Sequence, residues 1–180
     1  AFSLSVKIGQ FLQTEKTLIL DKKTTSIELK NLSKKPAISL LNSFSAPVIV
    51  EFKQSIDDLF AILEFETDFT SVWMTKKKLD YVALEKIVSG QHNVENVISR
   101  IYEILINKVH TPSLLAKLVE PLNDNEYFSK LLETKTPDPK AIQKDLRKYE
   151  DLYKRYFKEF SITYFKSFIH NRQYLRENSN

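Results

Sequence analysis

Three histidines, a run of three lysines and a pair of adjacent aspartates are the residues whose types could carry chemistry in this chain. Zinc-assisted hydrolysis on a helix needs two histidines one turn apart with a glutamate base beside the first, as in His-Glu-x-x-His. His92, His110 and His170 stand far apart in sequence, and none falls in that pattern. His92-Asn-Val-Glu95 opens a helix, which predicts a surface or capping role for His92, and His110 precedes the helix start Thr111-Pro112 and is read as structural. Asp57-Asp58 could in principle share acid–base work, but adjacent helical residues face different directions, and acids in a first turn serve the helix dipole. Gly9 and Gly90 are the only glycines, so a Gly-x-Ser-x-Gly nucleophile elbow cannot be written, nor a glycine-rich phosphate loop. With no cysteine there is no thiol nucleophile, zinc ribbon or disulfide. No catalytic, cofactor-binding or metal-ligating residue is assigned.

Charge narrows the partners. Lys76-Lys77-Lys78 and the interleaved basic and aromatic residues at 147–158 loosely resemble a nucleic-acid surface. However, the 27 basic and 23 acidic residues that give the net charge of +4 are mixed along the chain, and aromatics at helical spacing are core before they are stacking platforms. No nucleic acid partner is expected. Nor is a membrane: no apolar run approaches the ~20 residues that span a bilayer. Hydrophobic content of 42% with 28% charged residues is that of a globular protein. Ala1-Phe-Ser-Leu-Ser-Val-Lys7 lacks the features of a secretory signal, and the absence of cysteine fits a reducing compartment, so a cytoplasmic location is expected.

Two kinds of element must position whatever these residues do. Before about residue 54, apolar residues alternate with polar ones, at Phe2, Leu4, Val6, Ile8, at Leu18 and Leu20, at Ile27 and Leu29, and at Val48, Val50 and Phe52. Four strands are predicted, joined by turn-forming segments into an antiparallel meander or sandwich.

From residue 55 the period becomes that of a helix. Ser55-Ile-Asp-Asp58 predicts a capped start at Ile56 with an apolar face of Ile56, Leu59, Phe60 and Leu63. Asp68 opens a long second helix, through Phe69, Val72, Trp73, Leu79, Val82, Leu84, Ile87 and Val88, that ends at Gly90. Asn93 is expected to cap a third, in which Val94, Val97, Ile98, Ile101, Tyr102, Leu105 and Ile106 follow the i, i+3, i+4 rule throughout. Thr111-Pro112 starts a short helix through Leu114, Leu115 and Leu118, and another short one is predicted from Glu126 to Leu132. Asp138-Pro139 starts a final long helix, with Ile142, Leu146, Tyr149, Tyr153, Tyr156, Phe157, Phe160, Tyr164 and Phe168 on one stripe. The fold class is thus α+β and mostly α, a short antiparallel β-sandwich portion followed by an α-solenoid of HEAT/ARM-like helical repeats.

The stretch from Leu32 to Phe52, and Phe44-Ser-Ala-Pro-Val48 within it above all, resembles the segment that closes the immunoglobulin-like third domain of aminopeptidase N, the alanyl aminopeptidase group of zinc metallopeptidases. Thr17-Leu-Ile-Leu20 and Ser26-Ile-Glu-Leu29 resemble that family's preceding strands. Ile56-Asp-Asp-Leu59 and Asp68-Phe-x-x-x-Trp73 resemble its first two solenoid helices, and Thr111-Pro-Ser-Leu-Leu-Ala116 and Thr136-Pro-Asp-Pro-Lys-Ala-Ile142 its later landmarks. The resemblance covers about residues 1 to 165. It departs at Asn42 and Val72, where the family commonly has arginine.

Such enzymes remove N-terminal residues from peptides with a zinc ion, held in a thermolysin-like domain that would lie upstream of Ala1. The resemblance therefore implies residues 1–53 as the C-terminal strands of an immunoglobulin-like sandwich and residues 54–180 as the first helices of an α-solenoid. This would be a non-catalytic region, inactive alone and without zinc, that braces the parent's catalytic domain and walls its peptide chamber. The implied partners are that catalytic domain and, in the intact enzyme, peptide substrates, with self-association expected through uncovered sheet edges and apolar faces. At the junction, Phe44, Val48 and Trp73 are expected to be buried. Two alternatives are a free-standing helical-repeat module that binds protein through Tyr149 to Phe168, and a nucleic-acid binder using Lys76 to Lys78.

Overall fold

The computed structural model describes residues 2–9, 14–26, 28, 30, 35–40, 51–91, 93–123, 125–127 and 138–177. Two compact units divide the chain, residues 1–79 and 80–180.

The first unit contains an antiparallel sheet of β1 (Phe2–Gly9), β2 (Thr14–Leu20) and β3 (Ala37–Leu40), in the order β2-β1-β3. The alternation from Phe2 to Ile8 forms the central strand, so the sheet is not a meander. Phe2 lies opposite Leu20 and Ile8 opposite Thr14 on one side, and Ile8 faces Ile38 on the other. β3 was not expected as a strand. Its buried positions are Ala37 and Ser39 while Ile38 and Leu40 are half-buried, so burial falls on the small residues and the apolar pattern reads out of phase. Of the strands expected elsewhere, Ile27, Leu29, Val48 and Val50 lie outside the described residues, and Phe52 is exposed without regular structure.

Helix α1 (Ile56–Phe65) starts with a reciprocal capping box. The Asp58 amide donates to Ser55 Oγ at 3.1 Å, and the Ser55 amide donates to Asp58 Oδ2 at 3.0 Å. Leu59, Phe60, Ile62 and Leu63 are buried, and Ile62 packs on Ala37 of β3 with Ala61 and Phe65 beside it. Each such side chain contributes about 1.5–3 kcal/mol on burial, which is why a ten-residue helix is stable here although it would be marginal alone.

Helix α2 (Phe69–Val88) begins at Asp68, whose Oδ2 accepts from both the amide and the hydroxyl of Ser71 at 2.8 Å. It ends as the glycine predicted. Gly90 takes φ 65°, a left-handed conformation, and the Gln91 amide returns to the Lys86 carbonyl at 2.9 Å. The expected burial of Trp73 is not found: it is 37% exposed, with Lys77 Nζ 4.7 Å from its ring centroid. Val72, one position earlier, points inward in its place and is 3% exposed. Phe44 and Val48 lie outside the described residues.

In the second unit α3 (Val94–Lys108), α4 (Pro112–Leu118) and α5 (Pro139–Glu177) share a core. Val94, Val97, Ile98, Ile101, Tyr102 and Leu105 of α3 are buried as its periodicity requires. Asn93 corrects one detail, since it precedes α3 in a left-handed conformation, φ 82°, and its side chain makes no capping bond. Thr111 likewise makes none, so Pro112 alone marks that start. Asn125–Tyr127 is helical, and the rest of the short helix expected through Leu132 lies outside the described residues. In α5, Asp138 Oδ1 accepts from the Lys140 amide at 3.1 Å. At 39 residues α5 is about 58 Å long, from a rise of ~1.5 Å per residue.

Candidate functional site

The residues singled out for chemistry are not gathered at one place. His110 is exposed and its backbone carbonyl accepts from the Tyr164 hydroxyl at 3.3 Å, while His92 and the side chain of His170 are outside the description. Asp57 is exposed. Burial raises the Asp58 pKa, but the Ser55 hydroxyl and amide and the Lys35 ammonium outweigh it and hold the carboxyl below its ordinary value. That carboxylate serves the helix start. The lysine triplet is dispersed: Lys76 is 2% exposed, Lys77 lies over Trp73, and Lys78 donates to Gln54 Oε1 at 2.7 Å. Three side chains engaged in three directions do not form a phosphate track. Among the described residues, no three His, Cys, Asp or Glu side chains are placed to hold a metal ion, and no helix is long and apolar enough to cross a membrane.

What the structure does assemble are two buried polar nodes. In the first unit Glu66, fully buried at the end of α1, accepts from Lys7 Nζ of β1 at 2.5 Å and from the amides of Thr67 at 2.8 Å and Asp68 at 3.0 Å. The Ser39 hydroxyl of β3 completes the set. Burial pushes the Glu66 pKa up, but the Asp68 amide, Lys7 and Ser39 together bring it below the ordinary glutamate value. One carboxylate thus ties two strands, the end of α1 and the approach to α2.

The second node lies in the helical unit. The Tyr153 hydroxyl donates to the buried carboxylate of Asp80. Tyr149 is 4.7 Å from Tyr153 between ring centroids, and its hydroxyl accepts from the Leu122 amide at 3.1 Å. Tyr102 packs against Tyr153 at 5.7 Å and stacks on Phe160 at 5.6 Å. Burial first, and the Asp80 charge second, push the phenols of Tyr102, Tyr149 and Tyr153 well above their ordinary range. Tyr127 is pushed up to about 12, by burial and then by Asp145. These hydroxyls stay neutral across the physiological range, and those of Tyr149 and Tyr153 act as fixed hydrogen-bonding groups rather than proton-transfer agents. Neither Glu66 nor Asp80 was singled out from sequence. Each is a lone acid in a helical pattern, and only the tertiary partners give it meaning.

Next to the tyrosines, an apolar pocket of about 100 Å³ opens between α3, α4 and α5, lined by residues that include Ile106, Leu115, Val119, Phe157 and Phe160. It suits a hydrophobic side chain rather than a polar substrate.

The architecture is α+β and mostly helical, with a small three-stranded antiparallel sheet leading into helices. Residues 1–53 match the family described as Domain of unknown function (DUF3458) Ig-like fold. The chain resembles the crystal structure of Legionella pneumophila aminopeptidase A in complex with aspartic acid, with a TM-score of 0.69 at 20% sequence identity. The likeness covers 91% of this chain and 20% of that one, so the chain spans about a fifth of that protein's length. No curated protein matches the sequence. The family match gives an Ig-like fold for the residues expected to close such a sandwich, and the structural likeness shows that the same fold continues through the helices.

Proposed function

We propose that the chain is a non-catalytic C-terminal region of a zinc metalloaminopeptidase, an enzyme that removes N-terminal residues from peptides. In this reading residues 1–53 close an immunoglobulin-like sandwich and residues 54–180 open an α-solenoid. The pair braces the catalytic domain and forms part of the wall of the peptide chamber, in a cytoplasmic enzyme. One observation carries the reading: the Ig-like family match at residues 1–53 and a structural likeness running on through the helices point to the same kind of protein. In this reading the metal would be held by the catalytic domain, and no chemical step is assigned to this chain.

Two measurements test this. The reading frame upstream of Ala1 is expected to encode His-Glu-x-x-His, and its absence there overturns the reading. The purified 180-residue chain is expected not to hydrolyse an alanyl chromogenic substrate. Hydrolysis abolished by a chelator would make the chain itself catalytic. The pocket beside Phe157 favours a second reading, a helical module that takes an apolar side chain of a protein partner. Tyr149 and Tyr153, once expected on that binding face, are 0% and 2% exposed and serve the core instead.

A further inference from the structure

The turn of α5 that carries Tyr149 and Tyr153 into the core carries a dense row of cations away from it. At about 100° per residue, Lys140, Lys144, Arg147, Lys148, Lys154, Arg155 and Lys158 fall within an arc of roughly 120° opposite the buried tyrosines. All seven are exposed, and a depression of about 690 Å³ is lined by five of them, Lys140, Lys144, Arg147, Lys148 and Arg155. Asp151 is the one acid inside the arc. The chain as a whole is only +4, so this face is a local concentration of charge and not a reflection of composition.

Two members of the row already hold carboxylates: Arg155 Nη2 donates to Glu95 Oε1 at 2.7 Å, and Lys154 Nζ to Glu150 Oε2 at 3.0 Å. Lys140, Lys144, Arg147, Lys148 and Lys158 have no ion-pair partner among the described residues. Lys140, Lys144, Arg147 and Lys148 cluster within ~12 Å along the helix, and Lys158 lies ~15 Å further on, from ~1.5 Å of rise per residue.

The geometry points to a docking surface on α5 for an acidic polypeptide segment, with Lys144, Arg147 and Lys148 at its centre. Charge complementarity selects an anion, and the rest of the face selects which kind. Single-stranded nucleic acid binding uses aromatic rings between the cations, whereas here Tyr149 and Tyr153 are turned into the core. A membrane-surface helix sets a broad apolar face beside its cations, whereas of the residues lining this depression Leu152 alone is apolar, and it is half-buried. Extended acidic peptides need neither, only carboxylate acceptors in register with guanidinium and ammonium donors. The inference rests on this face alone and stands whether or not the chain comes from a peptidase.

The test is fluorescence anisotropy of a labelled poly-glutamate peptide titrated with the 180-residue chain, beside labelled oligothymidine and phosphatidylserine vesicles. Poly-glutamate is expected to bind, and to weaken as salt rises, because exposed charges are screened beyond ~8 Å at physiological ionic strength. Reversal at Lys144→Glu, Arg147→Glu and Lys148→Glu is expected to weaken it by at least about tenfold. The milder Lys144→Gln, Arg147→Gln and Lys148→Gln set should give an intermediate loss, and circular dichroism should show an unchanged helix signal. Reversal at exposed Lys16, Lys22 and Lys23, which changes net charge equally, should leave binding intact. Equal weakening by both reversals, no binding of poly-glutamate, or tighter binding of oligothymidine or vesicles overturns the proposal.

Discussion

Glu66 at the end of α1 and Lys7 in β1 form an ion pair 59 positions apart in the chain, 2.5 Å between Oε1 and Nζ, with the carboxylate fully buried. Burying a charge is costly unless it is paired and hydrogen-bonded, and Glu66 is both. The pair therefore fixes the sheet against α1 more than it adds net stability. Removing one partner should be costly all the same, because the other is left in place.

Glu66→Gln is expected to destabilise the chain by about 2 kcal/mol, since an uncharged amide cannot compensate Lys7 and cannot accept as many donors. The pH dependence has a definite sign. The folded pKa of Glu66 lies below the 4.5 of an unperturbed glutamate, so its contribution is fully present above that value and is lost as pH falls through the folded pKa. Thermal unfolding from neutral pH to below pH ~4 checks it. Wild type should lose more stability than Glu66→Gln over that range, and parallel curves would remove Glu66 from the account.

Tyr149→Phe isolates the second node. The ring still fills its place, but the Leu122 amide, which donates to the Tyr149 hydroxyl at 3.1 Å in a buried setting, loses its acceptor. A buried donor left unmet costs about 1–3 kcal/mol, so chemical denaturation should show a loss in that range. Hydrogen exchange at the Leu122 amide should accelerate relative to its neighbours. A variant as stable as wild type with unchanged exchange would show that the bond is immaterial.

Legibility from sequence divides by range. Three helix starts were plain because caps are local: Ser55, Asp68 and Asp138 each place an oxygen where the structure finds it bonded to a first-turn amide or hydroxyl, whereas Asn93 and Thr111 make no such bond. α3 was plain because seven apolar positions agreed on one face. β3 was obscure because its core-facing residues are alanine and serine. Trp73 was misjudged because size and apolarity favour burial in general, while the α2 face that turns inward carries Val72, Leu79 and Ala83. The polar nodes were illegible: nothing near Asp80 announces that Tyr153, 73 positions later, will donate to it.

Trp73 is the only tryptophan, so its fluorescence reports on one place. At 37% exposure, with Lys77 over the ring, it is expected to be quenched by acrylamide in the native state. Trp73→Ala should cost about 1 kcal/mol, the scale of a partly exposed cation–π contact. Leu63→Ala, in a residue with no exposed surface, should cost about 2–5 kcal/mol. A quench-resistant Trp73, or a larger loss at Trp73 than at Leu63, would place the ring in the core after all.

Phe157 raises the question of what the helical unit does with its remaining apolar surface. The α5 stripe is buried through Tyr153, but Phe157, one turn on, is 50% exposed at the mouth of the apolar pocket, and Ile162 is 48% exposed. An exposed aromatic ring lining a hydrophobic cleft favours association, because burying one such side chain gains about 1.5–3 kcal/mol. Sedimentation velocity at micromolar concentration is therefore expected to show dimers or larger species of the chain. Phe157→Ser should shift them toward monomer without lowering stability, since the side chain it removes contributes little to the core. A strictly monomeric wild-type chain would remove the self-association expected of this face, and a Phe157→Ser variant that unfolds would show that the ring belongs to the core and not to the surface.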